Sequence, residues 1–256
     1  MEHPLFDEIL HVERTNSTMR DAEVRIRDGL AQGNFAVVAT EQSGGHGRGE
    51  NHWHSPPGGL WATLALYGLS VPPSLTLFVG VCLHRAISPL LPAGACLQLK
   101  WPNDLMLDGR KLAGILTTQM SHKRYHLIGL GVNTNLPTMP GVLASQAASL
   151  QLATGAAVDN EALLRAFMDN LAEGLPLFID QGFDPWLEHY RQHDYLCGKH
   201  ISMKSEFSAH EGLARGINRS GALLVELPGG MLQPFYAGTV SQVRPQPRQA
   251  PEQEMD

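Results

Sequence analysis

The chain is short of charge, of cysteine and of long apolar runs, and each shortage narrows what it can be. Charged residues make up 17% of its 256 positions, and the formal net charge is −6. Holding nucleic acid by bulk charge requires a basic field, so that class is disfavoured and no DNA partner is expected. The three cysteines, Cys82, Cys96 and Cys197, are an odd set without metal-ligand spacing. They suit a reducing cytoplasm better than a disulfide-built exterior. The most apolar stretch, residues 75–91, is interrupted by His84 and Arg85 and is too short to span a bilayer. Met1-Glu2-His3-Pro4 lacks the basic-then-apolar pattern of a secretory leader, so a cytoplasmic chain away from membranes is expected. There is no internal repeat, no Ser-His-Asp or Cys-His arrangement, and no phosphate loop ending in Gly-Lys-Ser/Thr.

The length allows a large core, as one large domain or one large plus one small. Asn16-Ser17-Thr18 predicts the start of a helix that ends near Gly29. Strands are expected at 35–40, 60–66, 97–100, 105–107, 111–119 and 125–133, and helices at 76–91, 159–179 and 183–195. Strands come mainly first and helices after, an α+β order. Beyond Cys197-Gly198 the composition shifts to short strands with Gly and Asn turns, at 201–205, 212–217, 222–227, 232–237 and 239–244, which suggests a small barrel. The expected division is 1–196, 197–245 and a disordered tail at 246–256.

The richest passage is Lys100-Trp101-Pro102-Asn103-Asp104, followed after Asp108-Gly109 by Lys111-Leu112-Ala113-Gly114. Asp-Gly is the signature of a two-residue hairpin turn, which returns Lys111 toward Lys100. Two cations brought together in an apolar setting repel unless an anion lies between them. A carboxylate or phosphate site is therefore favoured over a solvated hairpin tip. A second candidate is Ser43-Gly44-Gly45-His46-Gly47-Arg48-Gly49, a glycine loop after a strand that cannot be regular structure. Its backbone N–H groups and Arg48 could hold an anion, but a surface loop is as good a reading of those residues alone. His46, His52 and His54 lack a complementary Cys, Asp or Glu at ligand spacing, so no dedicated metal site is assigned to them. Trp53 reads as core or as a platform for a base. Asn133, after Gly129-Leu130-Gly131, reads as a strand end or a ligand contact.

Taken in order, Asn16-Ser17-Thr18, Gln42 with Gly45-x-Gly47-Arg48, Trp53, the Lys100–Asp104 run, Lys111-Leu112-Ala113-Gly114 and Gly129-x-Gly131-x-Asn133 resemble the biotin protein ligases, from about Asn16 to Arg244. The resemblance implies a mixed-sheet catalytic domain followed by an SH3-like β-barrel. It implies ATP-dependent formation of biotinyl-5′-adenylate, then transfer of biotin to a lysine of a carboxylase's biotin carboxyl carrier domain. By the same resemblance Lys111 meets the biotin carboxylate and the α-phosphate, and Arg48 holds the adenylate phosphate. Ser17, Thr18, Gln42, Gly45, His46, Gly114 and Gly131 line the biotin slot. Trp53, Asn103 and Asn133 form the nucleotide site. Lys100 and Asp104 lie at the transfer site, Asp104 as proton acceptor or Mg²⁺ contact. Mg²⁺ is expected to be held mainly by phosphates.

The chain departs from the family pattern in its glycine loop, where His46, Glu50 and Asn51 stand in place of the usual loop residues. Weaker, pH-dependent retention of the adenylate is the expected consequence. The segment before Asn16 is too short for a helix-turn-helix, so a ligase without a repressor function is expected. Pairing of two copies through their sheets stays open. So do two rivals: a lipoate ligase or octanoyltransferase, and a non-catalytic biotin or nucleotide sensor.

Overall fold

The computed structural model describes residues 2–49, 51–138, 140–141, 143–204 and 208–245. The expected tail at 246–256 and the loop position Glu50 lie outside the described residues. In chain order the elements are β1 (Glu8–Thr15), α1 (Thr18–Arg27), β2 (Phe35–Gln42), β3 (Leu60–Tyr67), α2 (Leu75–Ile87), β4 (Leu97–Lys100), β5 (Asp104–Leu107), β6 (Arg110–Met120) and β7 (Tyr125–Val132). Then follow α3 (Leu143–Gln146), α4 (Leu150–Thr154), α5 (Asn160–Gln181), α6 (Asp184–Gln192), β8 (Lys199–Lys204), β9 (Ala209–Ile217), β10 (Leu223–Glu226), β11 (Leu232–Phe235) and β12 (Thr239–Pro245). As expected from the sequence, α1 and α2 lie among the strands and the longer helices α5 and α6 follow them, an α+β order.

Strands β1 to β7 form one mixed sheet in the order β1-β2-β3-β7-β6-β5-β4. Only β1 and β2 run parallel in it; α1 is the crossover that a parallel pair requires. The β5–β6 turn forms as its sequence demands: Asp108 and Gly109 both take positive φ, 50° and 77°, the condition for a tight hairpin that follows the sheet's twist. The C-terminal strands form a five-stranded antiparallel sheet in the order β11-β10-β9-β8-β12. Among the described residues no ladder joins β11 to β12, so the SH3-like unit is an open sheet, without the closure expected of a barrel.

Helix α2 is buried nearly all round, lying between the large sheet and α5 and α6. Phe78 of α2 stacks on Phe178 of α5 at 4.4 Å between ring centres, with Trp186 of α6 edge-on at 4.9 Å. The apolar core continues into the small sheet through Ile201, Met203, Ala214 and Leu223. Trp101 fixes the junction, donating its indole N–H to the Gly221 carbonyl at 3.0 Å. The helix expected over 76–91 becomes a 3₁₀ turn at Ser88–Leu90, because Pro89 has no N–H to continue the helical ladder. The helix expected over 183–195 stops at Gln192, because the chain then pairs with β4: the His193 carbonyl accepts the Leu99 N–H at 2.8 Å.

The other face of the large sheet is covered only in part, by α1 and a small cluster around Met19, Phe35, Ala65 and Leu127. Side chains alternate between faces along a strand. Thr63 therefore follows Ala65 onto this face, and Gly129 and Gly131 follow Leu127. That leaves a floor without bulk beside the N-terminus of α1.

Candidate active site

Over this floor lies a cleft of about 820 Å³. It is lined by each residue to which the resemblance gives a role: Ser17, Thr18, Gln42, Gly45, His46, Arg48, Trp53, Lys100, Asn103, Asp104, Lys111, Gly114, Gly131 and Asn133. The small sheet adds Thr239 and Val240, which no motif marked.

At the inner end is a chain of neutral hydrogen bonds. Thr18 donates to Gln42 Oε1 from its backbone N–H at 2.9 Å and from its hydroxyl at 3.1 Å. Thr18 Oγ1 also lies 2.8 Å from Thr63 Oγ1. Gln42 Nε2 donates to Ser55 Oγ at 2.9 Å, and that hydroxyl donates to the Trp53 carbonyl at 3.2 Å. Ser17 occupies the cap position of α1 but makes no side-chain cap bond, unlike Asp159, which caps α5 by accepting from Glu161 and Ala162. Thr63 and Ser55 escaped the motif reading. Thr63 had a signal, as the polar residue within the apolar strand Leu-Trp-Ala-Thr-Leu-Ala-Leu.

Strand pairing assembles the charged end. Lys100 and Asp104 are register partners across β4 and β5. Lys111 returns through the Asp108-Gly109 turn, and its Nζ lies 2.6 Å from Asp104 Oδ1. That oxygen is buried and has no aligned hydrogen-bond donor, so the contact is an ion pair without good hydrogen-bond geometry. The anion required between the two lysines is thus supplied by the protein itself, where the sequence reading looked to a ligand. Lys100 is half-buried; desolvation holds its amine below the ordinary lysine range, with Asp104 opposing the effect and Lys111 adding to it.

The two asparagines are partly committed to structure. Asn103 Nδ2 donates to the Ile115 carbonyl at 2.8 Å, and its own carbonyl accepts the Ile115 N–H at 2.9 Å. Asn133 Nδ2 donates to the Ala148 carbonyl at 3.0 Å. Any ligand contact must use what these amides have left.

The glycine loop is more regular than expected. β2 runs through Gln42, and isolated bridges pair Gln42 with Ser55 and His46 with His52. The result is a narrow hairpin. The Trp53 N–H bonds the Gly45 carbonyl at 2.9 Å, and Asn51 Nδ2 ties off the tip on the Arg48 carbonyl at 2.8 Å. Arg48 crosses to the small sheet and donates to the Gly238 carbonyl at 2.9 Å. Among the described residues His46, His52 and His54 form no metal-binding group. Trp53 lies on the glycine floor: a Cβ added at Gly131 would fall 2.5 Å from its Nε1, and one at Gly114 would fall 3.1 Å from its ring. Among the described residues the buried Trp53 Nε1 has no hydrogen-bond partner, and Lys111 Nζ lies 5.1 Å from a ring centre.

Residues 11–135 match the model of the Biotin/lipoate A/B protein ligase family, and residues 196–242 that of the Biotin protein ligase C terminal domain. The chain is 31% identical over 226 residues to a biotin–[acetyl-CoA-carboxylase] ligase of Paracoccus denitrificans, covering 85% of this chain and 93% of that one. It is 28% identical over 245 residues to the bifunctional ligase/repressor BirA of Bacillus spizizenii, covering 92% of this chain and 73% of that one. Its fold is similar to that of the biotin protein ligase from Aquifex aeolicus in complex with biotin and ATP, with a TM-score of 0.81 at 22% identity, over 94% of this chain and all of that one. The cleft on a mixed sheet, joined to a small β module, is that of a ligase fold. The chain belongs to the biotin protein ligase family.

Proposed function

We propose that this chain activates biotin with ATP and attaches it to a lysine of a biotin carboxyl carrier domain. The observation that carries the reading is the Lys100–Asp104–Lys111 cluster, at the charged end of a cleft whose other end is a neutral hydrogen-bonding slot. A ligand with a polar uncharged head and a carboxylate tail matches that polarity. Ser17, Thr18 and Gln42 face its head group, and Lys111 meets its carboxylate.

In the first step a carboxylate oxygen attacks the α-phosphorus, and the bond to the departing pyrophosphate breaks. Two anions are brought together, so Lys111 and Arg48 serve by offsetting their repulsion. Arg48 must leave the Gly238 carbonyl to do so. Because the Trp53 ring lies on the floor over Gly114 and Gly131, loading the slot requires the hairpin to lift. Trp53 is then available to stack on the adenine, with Asn103 and Asn133 offering their remaining polar atoms. In the second step the carrier amine attacks the acyl carbon and AMP leaves. Asp104 is placed to take the proton, and Lys100 to balance the charge of the leaving phosphate.

Asp104 is the one carboxylate among the described residues of the cleft, and its buried Oδ1 lacks an aligned donor. This fits a Mg²⁺ ion held by substrate phosphates and at most one protein carboxylate. When bound, the ion neutralises phosphate charge. We further propose that 1–196 is the catalytic unit and 197–245 a module that closes over the nucleotide end through Gly238, Thr239 and Val240.

The test is transfer of labelled biotin to a purified carrier domain, with and without ATP. ATP-dependent labelling of one lysine is expected; absence of labelling from folded protein would overturn the proposal. The matched family also includes lipoate ligases, but the C-terminal module favours biotin. Thermal stabilisation by biotin plus ATP, and not by lipoate plus ATP, separates the two.

A further inference from the structure

On the far side of the sheet, three histidines converge. His84 projects from α2, His189 from α6, and His193 follows α6 one turn beyond His189. One nitrogen of each ring lies within 4.8 Å of the others. His84 Nδ1 and His189 Nε2 are 3.1 Å apart. The opposite nitrogens of two of the rings are already engaged. His84 Nε2 lies 3.2 Å from the Leu97 carbonyl, and His193 Nδ1 lies 2.8 Å from the His189 carbonyl. A carbonyl only accepts, so these nitrogens carry the protons. The lone pairs of His84 Nδ1 and His193 Nε2 are left for the centre of the group. Ser88 approaches His84 Nδ1 at 3.2 Å but has the His84 carbonyl at 2.7 Å for its own proton.

We propose that His84, His189 and His193 form a site for a divalent transition-metal ion of the zinc class. Imidazole ligands whose second nitrogen donates to a carbonyl are the usual arrangement around such ions. Metal–nitrogen bonds of about 2.0–2.1 Å place tetrahedral ligand atoms roughly 3.3 Å apart, close to the His84–His189 separation. An all-nitrogen set selects Zn²⁺, Co²⁺, Ni²⁺ or Cu²⁺ over Mg²⁺ and Ca²⁺, which require oxygen. His84 is buried while His189 and His193 are half-buried, so solvent can reach the site and fill a fourth position. The ion clamps α6 to α2 directly beneath β4, the strand that ends at Lys100: Leu97 accepts from His84, and the His193 carbonyl accepts from Leu99.

The test uses full-length, tag-free protein stripped with a chelator. Zn²⁺ alone is titrated by calorimetry, and Co²⁺ alone by visible absorption. One ion per chain, a tetrahedral Co²⁺ spectrum and a higher melting temperature are expected. Affinity should fall roughly tenfold or more in His189→Ala and in His193→Ala, and should hold in the His52→Ala/His54→Ala double variant. If either alanine variant is unfolded by circular dichroism, His189→Gln and His193→Gln take its place. No uptake by folded wild-type protein overturns the site. So does uptake unchanged by substitution of the trio, or uptake lost only in the double variant.

Discussion

The two cation-bearing segments of the cleft are built on different principles. Lys100 and Lys111 are held by strand ladders, and their mutual repulsion is met by Asp104 within the same three strands. Arg48 sits at the tip of a hairpin with two isolated bridges, and among the described residues its guanidinium bonds one backbone carbonyl of the other module. One charge is fixed by paired strands; the other is held by a contact between the hairpin and the small sheet. The difference suggests a division of labour. The strand-held lysine serves the chemical step, and the hairpin arginine serves retention of the intermediate.

The sharpest way to break this comparison is Lys111→Ala. Removing a preorganised charge from a developing phosphoryl transition state costs about 10²–10³-fold in rate. Adenylate formation, read as pyrophosphate release, should fall by that amount while the circular dichroism spectrum is kept. Near-normal release from a folded variant would remove Lys111 from the first step. Arg48→Ala should act differently. Loss of one charge-assisted contact is worth about 1.5–3 kcal/mol, or roughly 10–150-fold in the dissociation rate of biotinyl-5′-adenylate, with a smaller effect on its formation. If Arg48→Ala instead lowers formation as much as Lys111→Ala does, the two segments are not distinct in function. His46 sharpens the same point: it lines the cleft on the same hairpin as Arg48, and His46→Gln should raise the dissociation rate of the adenylate by less than Arg48→Ala does. A rate unchanged in His46→Gln would leave His46 without a part in retention.

Within the first segment, the turn between Lys100 and Asp104 helps keep it rigid. Asn103 bonds Ile115 through both its side chain and its carbonyl. Asn103→Ala strips one of these and leaves a buried carbonyl unpaired, at a cost of about 1–2 kcal/mol. Chemical denaturation should show that loss, together with slower adenylation. Unchanged stability with a raised KM for ATP alone would mean that Asn103 is a ligand contact and not a brace.

The strand-held segment was far more legible in the sequence than the hairpin. Asp108-Gly109 announces a turn because few other residue pairs tolerate positive φ twice, and that turn dictates where Lys111 goes. Asp104 as the resident anion followed less directly: charge alone says that an anion is needed, and only the register says that the chain supplies it. The glycine hairpin could not be read because glycines permit many conformations. What selects one is the cross-bridging of His46 with His52 and the tie from Asn51. The Arg48–Gly238 bond joins positions 190 residues apart, which no local pattern encodes. β1 was missed because its mixture of charged and apolar residues reflects an edge strand exposed along much of its length. Yet β1 anchors the hairpin, since the Thr15 carbonyl accepts the Ser43 N–H at 2.9 Å. The histidine trio had a partial signal, the one-turn spacing of His189 and His193. Its third member comes from a helix more than a hundred positions earlier, which only the fold reveals.

The smallest predicted effect concerns Lys100, and it has an unusual sign. Its ammonium is desolvated and faces Lys111, and the attraction of Asp104 opposes this without cancelling it. A lysine whose folded-state pKa is depressed costs stability wherever it is charged in both states, which includes neutral pH. Lys100→Met keeps the apolar stem and removes the desolvated charge, so it should stabilise the fold by roughly 0.5–1 kcal/mol at pH 7. The gain should shrink as pH rises toward the ordinary lysine pKa, where the unfolded chain also sheds the proton. The same substitution should slow transfer to the carrier, because in the proposed mechanism that charge meets the leaving phosphate. Urea denaturation at several pH values, paired with single-turnover transfer, reads both. A destabilised Lys100→Met would show that Asp104 already compensates the buried charge in full, and the strand-held cluster would then be a structural ion network, not a strained site awaiting an anion.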